Sequence, residues 1–254
     1  LANANLISTR LSGASLTGTN LTKANMTSAR LGEWDPLYPG AFLIRANLTQ
    51  ADLPRSDLNK TNFTQANLTD ANLIDADLTG ANLTDAILTG ADLSSTDMTF
   101  ANLEGANLSR ADLSSADLTG ADLTGANLRE ANLSSTILKQ ADLTGADLRG
   151  ASFFKTNLES ATFYRAVFGF SNIVSCDLSW TIALDLARHT GPSTIGLDTL
   201  ARSVGRIPRK FLEDAGVAAP LLEAQDSMMG VSRTFPSVLT IGSMEDRDLA
   251  DRLR

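Results

Sequence analysis

Ten carboxylates lie between residues 66 and 125, a stretch in which Arg110 is the one basic residue. Carboxylates at fixed spacing can hold metal ions, act as general acids or bases, or present a negative surface to a basic partner. Many of the aspartates are separated by multiples of 20 residues, in a series of Asp57, Asp77, Asp97, Asp117 and Asp177 and a shorter one of Asp92 and Asp112. The members of both series that lie inside this stretch are candidate partner-binding residues.

The residues that most enzyme chemistry needs are scarce. The chain has one histidine, His189, and one cysteine, Cys176. These cannot build a zinc cluster or a Ser-His-Asp triad, and no phosphate-binding or dinucleotide-binding glycine pattern is present. The calcium-binding Gly-Gly-x-Gly-x-Asp repeat is also missing. We therefore predict a protein that is not an enzyme, with no catalytic residue, metal site or cofactor. Cys176 is predicted to fill the core and His189 to be structural or solvated.

The carboxylates belong to a five-residue repeat. From Leu48 to Leu178, 27 positions follow at intervals of five, and 21 of them are leucine. The unit is Ala-(Asn/Asp)-Leu-x-x, as in residues 76–80. Every fifth residue stays neither on one face of an α-helix nor on one face of a flat strand. The chain must therefore turn once per unit, with Ala and Leu directed inwards and Asn or Asp outwards.

Exceptions to the repeat indicate four units per coil. The inner small position is not alanine in seven of the 27 units, and five of these lie at multiples of 20 residues from one another: Ser56, Thr96, Thr136, Thr156 and Cys176. The longer aspartate series has the same spacing. A four-sided tube is the simplest structure that explains both observations.

The core of this tube is predicted to contain the repeated leucines, including Leu83, Leu103, Leu123 and Leu143. Near the C-terminal end the bore widens, because phenylalanine replaces leucine at three central positions: Phe153, Phe163 and Phe168. We interpret these three rings, together with Trp180, as a plug that covers the open end of a solenoid.

Over roughly residues 1–180 this pattern resembles the pentapeptide-repeat family. The resemblance implies an all-β solenoid, a right-handed four-sided β-helix in which the central Leu or Phe and the preceding Ala fill the tube. About nine coils at a strand spacing of about 4.8 Å would give a rod about 43 Å long.

The same resemblance implies a specific partner. Members of the quinolone-resistance type resemble DNA and engage DNA gyrase, a topoisomerase. Residues 66–125 hold ten acids against one arginine, which over three coils is roughly one negative charge per 1.6 Å of axis. Duplex DNA carries one per about 1.7 Å. The alternative is a soluble scaffold surface, because Asp is one of two residues allowed at the outward position and the acids are shared among three sides.

Two further features could contact a partner. Leu31 and Leu43 are twelve residues apart, which breaks the five-residue phase. Residues 32–42 are therefore predicted to be a loop insertion, either a tolerated bulge at one corner or a binding loop that carries Trp34 and Tyr38. Phe100 occupies an outward position and is a third aromatic candidate.

The repeat stops near Leu178. We predict a helical cap and connector over 181–216, with helices over 181–190, 197–204 and 208–215, and a linker over 217–234. Residues 235–254 resemble the first strand and helix of a TIR domain, and 191–212 resemble the connector that joins some bacterial pentapeptide-repeat tubes to such domains. The resemblance implies a longer protein whose TIR domain signals or cleaves nicotinamide dinucleotide (NAD).

We predict a non-catalytic structural scaffold for protein–protein interaction in the cytoplasm of a bacterium. We expect it to bind neither a membrane nor, directly, nucleic acid. A homodimer is compatible with this scaffold. The net charge of −8 and the single cysteine agree with a soluble, reduced environment. Three alternatives stay open: an acidic DNA mimic that binds DNA gyrase, a tether for a TIR-type effector domain, and a spacer with no specific partner.

Overall fold

The protein winds into a square tube in a computed structural model that describes residues 1–33, 35, 39–203 and 205–223. Parallel bridges join each outward residue to the equivalent residue of the next coil, as Asn82 pairs with Asn102 and Asn102 with Asp122. The wall that runs from Asn5 to Thr194 has ten such levels. The predicted right-handed, four-sided β-helix is confirmed, and its hand is the one that crossovers between parallel strands adopt.

Each five-residue unit is held to the next coil by the same backbone hydrogen bonds. The Leu48 amide donates to the Asn67 carbonyl at 2.6 Å, and the Gln50 amide donates to the Thr69 carbonyl at 2.9 Å. In return, the Asn67 amide donates to the Ala46 carbonyl at 2.9 Å. The ladder therefore satisfies the backbone polar groups of a wall only three residues wide.

The corners depend on left-handed backbone. From Arg45 to Ser175 the last residue of each unit has a positive φ, as in Gln50 at 56° and Gly80 at 60°. The corner is closed by a turn in which the Ala51 amide donates to the Leu48 carbonyl at 2.9 Å. A left-handed conformation costs a residue with a side chain about 1 kcal/mol, and the hydrogen bonds between coils offset that cost.

The core is filled as predicted. The predicted core residues occupy the central position of the unit and are at most 1% exposed: Leu83, Leu103, Leu123, Leu143, Phe153, Phe163 and Phe168. Leu83 and Leu103 lie on one wall, because the residues before them pair with each other. The buried Thr96 hydroxyl donates to the Leu93 carbonyl at 2.7 Å, so this polar group inside the tube is satisfied.

The insertion lengthens one coil without interrupting the stack. Ser15 pairs with Phe42 across 27 residues, whereas the regular spacing is 20. The chain leaves the corner after Leu31 and returns at Ala41, whose amide donates to the Leu31 carbonyl at 2.7 Å. Trp34 and Tyr38 lie outside the described part of the chain, so their role as partner contacts stays a prediction.

The tube continues beyond the last recognisable repeat. Its final coils contain five short strands: β1 (Ser152–Phe154), β2 (Val167–Phe168), β3 (Asn172–Val174), β4 (Arg188–His189) and β5 (Thr194–Ile195). Parallel pairing joins β1, β3 and β5 in one wall and β2 and β4 in another. The predicted helix over 181–190 is wrong. This segment continues the coil, because Ile182 pairs with Thr162 before a 3-10 turn at Leu184–Leu186 and β4.

Helices α1 (Leu197–Ser203) and α2 (Arg209–Asp214) follow, within one or two residues of the predicted bounds. Gly216, with φ 83°, follows α2. Residues 219–223 belong to the predicted linker over 217–234, but they are helical. The rest of that predicted linker and the TIR-like segment over 235–254 lie outside the described residues and stay predictions.

Helix α1 takes the place of the next coil on one wall. The Cys176 amide donates to Thr199 Oγ1 at 3.3 Å, and the Leu178 amide donates to Ser203 Oγ at 3.0 Å. Thr199 Oγ1 itself donates to the Ile173 carbonyl at 3.2 Å. In the regular tube backbone carbonyls accept these bonds: the amide equivalent to Leu178 donates to the following coil, and the amide equivalent to Cys176 donates to the carbonyl three residues earlier in its own coil, as Ala51 does to Leu48. Here two hydroxyls one helical turn apart make them.

Candidate interaction surface

One side of the tube carries an unbroken stack of carboxylates. On this side, here called the Asp97 wall, Asp57 pairs with Asp77, Asp77 with Asp97, and Asp97 with Asp117 in successive coils. The next residue in the column is Ile137, which ends the stack. Four negative side chains therefore follow one another at the strand spacing of about 4.8 Å.

Each of these aspartates is fixed by the corner that follows it. Asp77 Oδ1 accepts the Thr79 amide at 2.9 Å, and Asp117 Oδ1 accepts the Thr119 amide at 2.8 Å. Asp97 makes the same bond at 2.9 Å and is the most exposed of the three. Because these turns fix one oxygen of each carboxylate, the stacked charges share one orientation. Their mutual repulsion is the electrostatic cost of this arrangement.

Phe100 lies on the edge of the Asp97 wall. Its side chain is 70% exposed, and its backbone is left-handed with φ 55°. The corresponding corner residues in the flanking coils are Gly80 and Gly120. The ring covers Gly120, where an added Cβ would come within 2.7 Å of Cε1 of Phe100. The result is an aromatic ring on a glycine edge beside a row of acids.

The insertion leaves from the same edge. Lys60, Gly80 and Phe100 are corner residues of three successive coils, and the loop base packs against the first of them. Glu33 Oε1 lies 3.1 Å from Lys60 Nζ. A Cβ on Gly40 would meet the Lys60 carbonyl oxygen at 2.5 Å. Lys60, which the loop base contacts, and Phe100 are thus two coil spacings apart, about 10 Å.

Asp92 and Asp112 lie elsewhere. They stack on the neighbouring wall, beyond a corner formed by Ser95 and similar residues. Asp112 Oδ1 accepts a hydrogen bond from Nδ2 of Asn132 at 2.9 Å. The Ser94 hydroxyl donates to Asp92 Oδ1 at 2.7 Å. Of the predicted partner-binding residues, the structure therefore brings together Asp77, Asp97, Asp117 and Phe100, and it places Asp92 and Asp112 on another side.

The C-terminal end carries aromatic and cationic residues that the sequence interpretation missed. Trp180 is not part of a plug, because it is 59% exposed and the Arg206 guanidinium lies 4.6 Å from its ring centre. Arg165 lies 5.0 Å from the ring of Tyr164 in the same manner. The position of each residue within its five-residue unit could have indicated this exposure, because Tyr164 directly follows a core residue and Trp180 occupies a corner.

The single cysteine of the chain is buried in the tube. Burial raises the pKa of the Cys176 thiol to about 11, so the thiol stays protonated near neutral pH. Its Sγ lies 2.8 Å from the Phe153 carbonyl oxygen. Among the described residues there is no group of three or more His, Cys, Asp or Glu side chains that could hold a metal ion. No helix in that part of the chain has the length and hydropathy to cross a bilayer.

Comparison with known proteins agrees with the repeat. A family model described as pentapeptide repeats matches eight copies over residues 1–33, 40–70, 71–110, 106–145 and 141–179. HetL, a pentapeptide repeat protein involved in heterocyst differentiation regulation in the cyanobacterium Nostoc sp. strain PCC 7120, is 33% identical over 73% of this chain and 86% of that chain, with a TM-score of 0.41.

Two further solved structures extend this comparison. Another pentapeptide repeat protein from Nostoc PCC 7120 is 44% identical over 37% of this chain and 73% of that chain, with a TM-score of 0.24. QnrB1, a plasmid-mediated fluoroquinolone resistance protein, is 16% identical over 59% of this chain and 84% of that chain, with a TM-score of 0.32. At this identity the likeness concerns the fold alone. No curated protein sequence matches the chain significantly.

Proposed function

Because this chain belongs to the pentapeptide-repeat family, we propose that it is a rigid, non-catalytic scaffold that binds a protein partner through the Asp97 wall. Its interior is filled by side chains, which leaves the outer walls to carry function. Outward groups are held at fixed spacing by the coil ladder, so a partner meets a surface that is already ordered and loses little entropy in ordering it.

The stack of Asp77, Asp97 and Asp117 beside the exposed Phe100 is the observation that carries this proposal. Stacked carboxylates favour a partner surface with several Lys or Arg side chains at matching intervals. An exposed aromatic ring adds an apolar anchor of the kind that dominates binding energy at interfaces. The expected partner is therefore a basic protein surface with a pocket for one aromatic ring.

A photo-crosslinking experiment tests the proposal. A photoreactive phenylalanine analogue is placed at Phe100, the crosslinked protein is identified, and its affinity for the purified chain is measured. We expect the Asp77→Asn, Asp97→Asn, Asp117→Asn triple variant to bind at least about tenfold more weakly. The matched control removes the same charge elsewhere, through Asp52→Asn, Asp122→Asn and Asp142→Asn. Equal loss in both triple variants would contradict a role for the Asp97 wall.

A second candidate is an acidic DNA mimic that binds DNA gyrase. The unbroken stack favours it, since four aligned carboxylates form a linear array of negative charge as a phosphate backbone does. The position of Asp92 and Asp112 on another wall argues against it, because these two carboxylates are not part of that array. The test is binding to purified gyrase as a function of salt concentration. A gyrase affinity that is undetectable, or that is unchanged in the triple variant of the Asp97 wall, removes this candidate.

A further inference from the structure

His189 lies between the end of the tube and helix α2 with both ring nitrogens buried. Nδ1 and Nε2 are each shielded from solvent, and neither has a hydrogen-bond partner among the described residues. An imidazole normally pairs at least one nitrogen when it is buried, because a polar atom without a partner costs free energy. This position therefore suits an uncharged ring that packs as an aromatic group.

Aromatic packing connects His189 to both neighbouring elements. Its ring is stacked on Phe168 of β2, with ring centres 5.5 Å apart and an angle of 24° between the planes. The edge of Phe211 from α2 meets it at 4.6 Å and 66°. Phe168 and Phe211 also touch each other, at 5.3 Å and 90°. His189 thus belongs to a three-ring joint that fastens α2 to the core of the tube.

Among the described residues, the charges around this joint offer the imidazolium no dedicated partner. The groove beside His189 is lined by Arg165 from the preceding coil, Asp185 and Arg188 from the last coil, and Lys210 and Asp214 from α2. Lys210 and Asp214 form an ion pair with each other. Burial lowers the pKa of His189. Asp214 opposes this effect and Lys210 adds to it.

We propose that His189 is an acid-sensitive latch, which holds α2 against the tube while the ring is neutral and releases it when the ring is protonated. An imidazolium must be hydrated or paired, and the buried nitrogens can reach water only when the rings separate. Release displaces α2 together with the chain that follows it. Acid would therefore change how downstream residues are held and leave the tube itself intact.

The sign of the pH effect follows from proton linkage. The closed joint binds a proton more weakly than the open one, whose imidazole has an ordinary pKa of about 6.5. The latch is thus fully effective above about pH 6.5 and weakens as the pH falls. The equilibrium constant for opening rises by up to about tenfold per pH unit, until the pKa of the closed joint is reached.

The experiment uses the full chain, in which His189 is the single histidine. NMR follows the titration of its ring, and hydrogen exchange follows the amides of α2 between pH 5 and pH 8, corrected for the intrinsic exchange rate. We expect a midpoint below about 6.5, with α2 protection falling towards acid and the amides of tube residues such as Leu103 unaffected. The control is His189→Phe, which retains a ring of similar size and removes the titration.

In His189→Phe, the protection of α2 should not depend on pH. The same acid-induced loss in that variant would overturn the proposal, as would a histidine midpoint at or above its ordinary value in the wild-type chain. If His189→Phe does not fold, the wild-type chain still decides the question. Opening of α2 must then begin as the histidine protonates, and opening at an unrelated pH rejects the latch.

Discussion

The Phe100 ring rests on Gly120, one coil further along the tube. An added Cβ at Gly120 would come within 2.7 Å of the ring. The same relation recurs where the ring of Phe170 covers Gly191, with an expected approach of 2.6 Å. At these two corners an aromatic ring therefore lies over a glycine at the equivalent corner of the next coil. The units are repeated, but the corner residues of adjacent coils are not independent.

Gly120→Ala tests this contact. Alanine in the left-handed region should lower the free energy of unfolding by about 1 kcal/mol. The exposed Phe100 ring can swing outwards, so the added cost of the clash should stay below about 0.5 kcal/mol. The control is Gly125→Ala, because Gly125 has the same φ of 66° as Gly120 and no atom within 4 Å of an added Cβ. Denaturant unfolding that shows a much larger loss at Gly120 would mean that the ring is fixed.

A charge introduced inside the tube and a charge removed from its surface should have opposite effects on stability. Leu103 is completely buried, so Leu103→Asp should destabilise the protein by more than about 4 kcal/mol or prevent folding. Asp97→Asn retains an oxygen for the turn to the Thr99 amide and removes repulsion within the stack. It should leave the melting temperature unchanged or slightly raised. Comparable melting of both variants would contradict the assignment of core and surface.

Repulsion within the Asp97 wall predicts a dependence of stability on salt. Because the stacked carboxylates are partly exposed, salt should screen them. The free energy of unfolding should therefore rise as salt increases from about 10 to 150 mM, over which the Debye length shortens from about 30 to 8 Å. The triple variant Asp77→Asn, Asp97→Asn, Asp117→Asn should show a flatter dependence. An identical salt slope in the two proteins would show that the stack is not repulsive.

The hydrogen bonds between helix α1 and the last coil of the tube can be tested by substitution. Thr199→Val preserves side-chain shape but removes the acceptor of the Cys176 amide, so it should lower the free energy of unfolding by about 1–3 kcal/mol. Thr199→Ser retains the hydroxyl and is the matched control. Ser203→Ala should weaken the contact with the Leu178 amide by a similar amount. Hydrogen exchange at these two amides gives a local readout, and unchanged protection would show that other groups satisfy them.

Much of the tube could be predicted from the sequence, because each unit forms the same local turn and directs the same positions inwards. The five-residue period indicated that Leu103 faces inwards and Asp97 outwards, and the 20-residue spacing placed Asp77, Asp97 and Asp117 in one column. Prediction failed where the repeat fades. Residues 181–190 look helical by composition, yet Ile182 continues a wall because its amide donates to the Ala161 carbonyl at 2.8 Å, a bond that local sequence does not reveal.

The sequence alone determined which side chains point into the tube and how many units close a coil, because both follow from a repeated local turn. The tertiary structure decided which outward residues become neighbours and what happens at the end of the tube. It placed Phe100 on the same edge as the insertion, turned Trp180 towards solvent, and enclosed His189 between two phenylalanines. These outcomes depend on contacts between coils and helices distant in sequence, where burial and available hydrogen-bond partners, and not residue type, decide the arrangement.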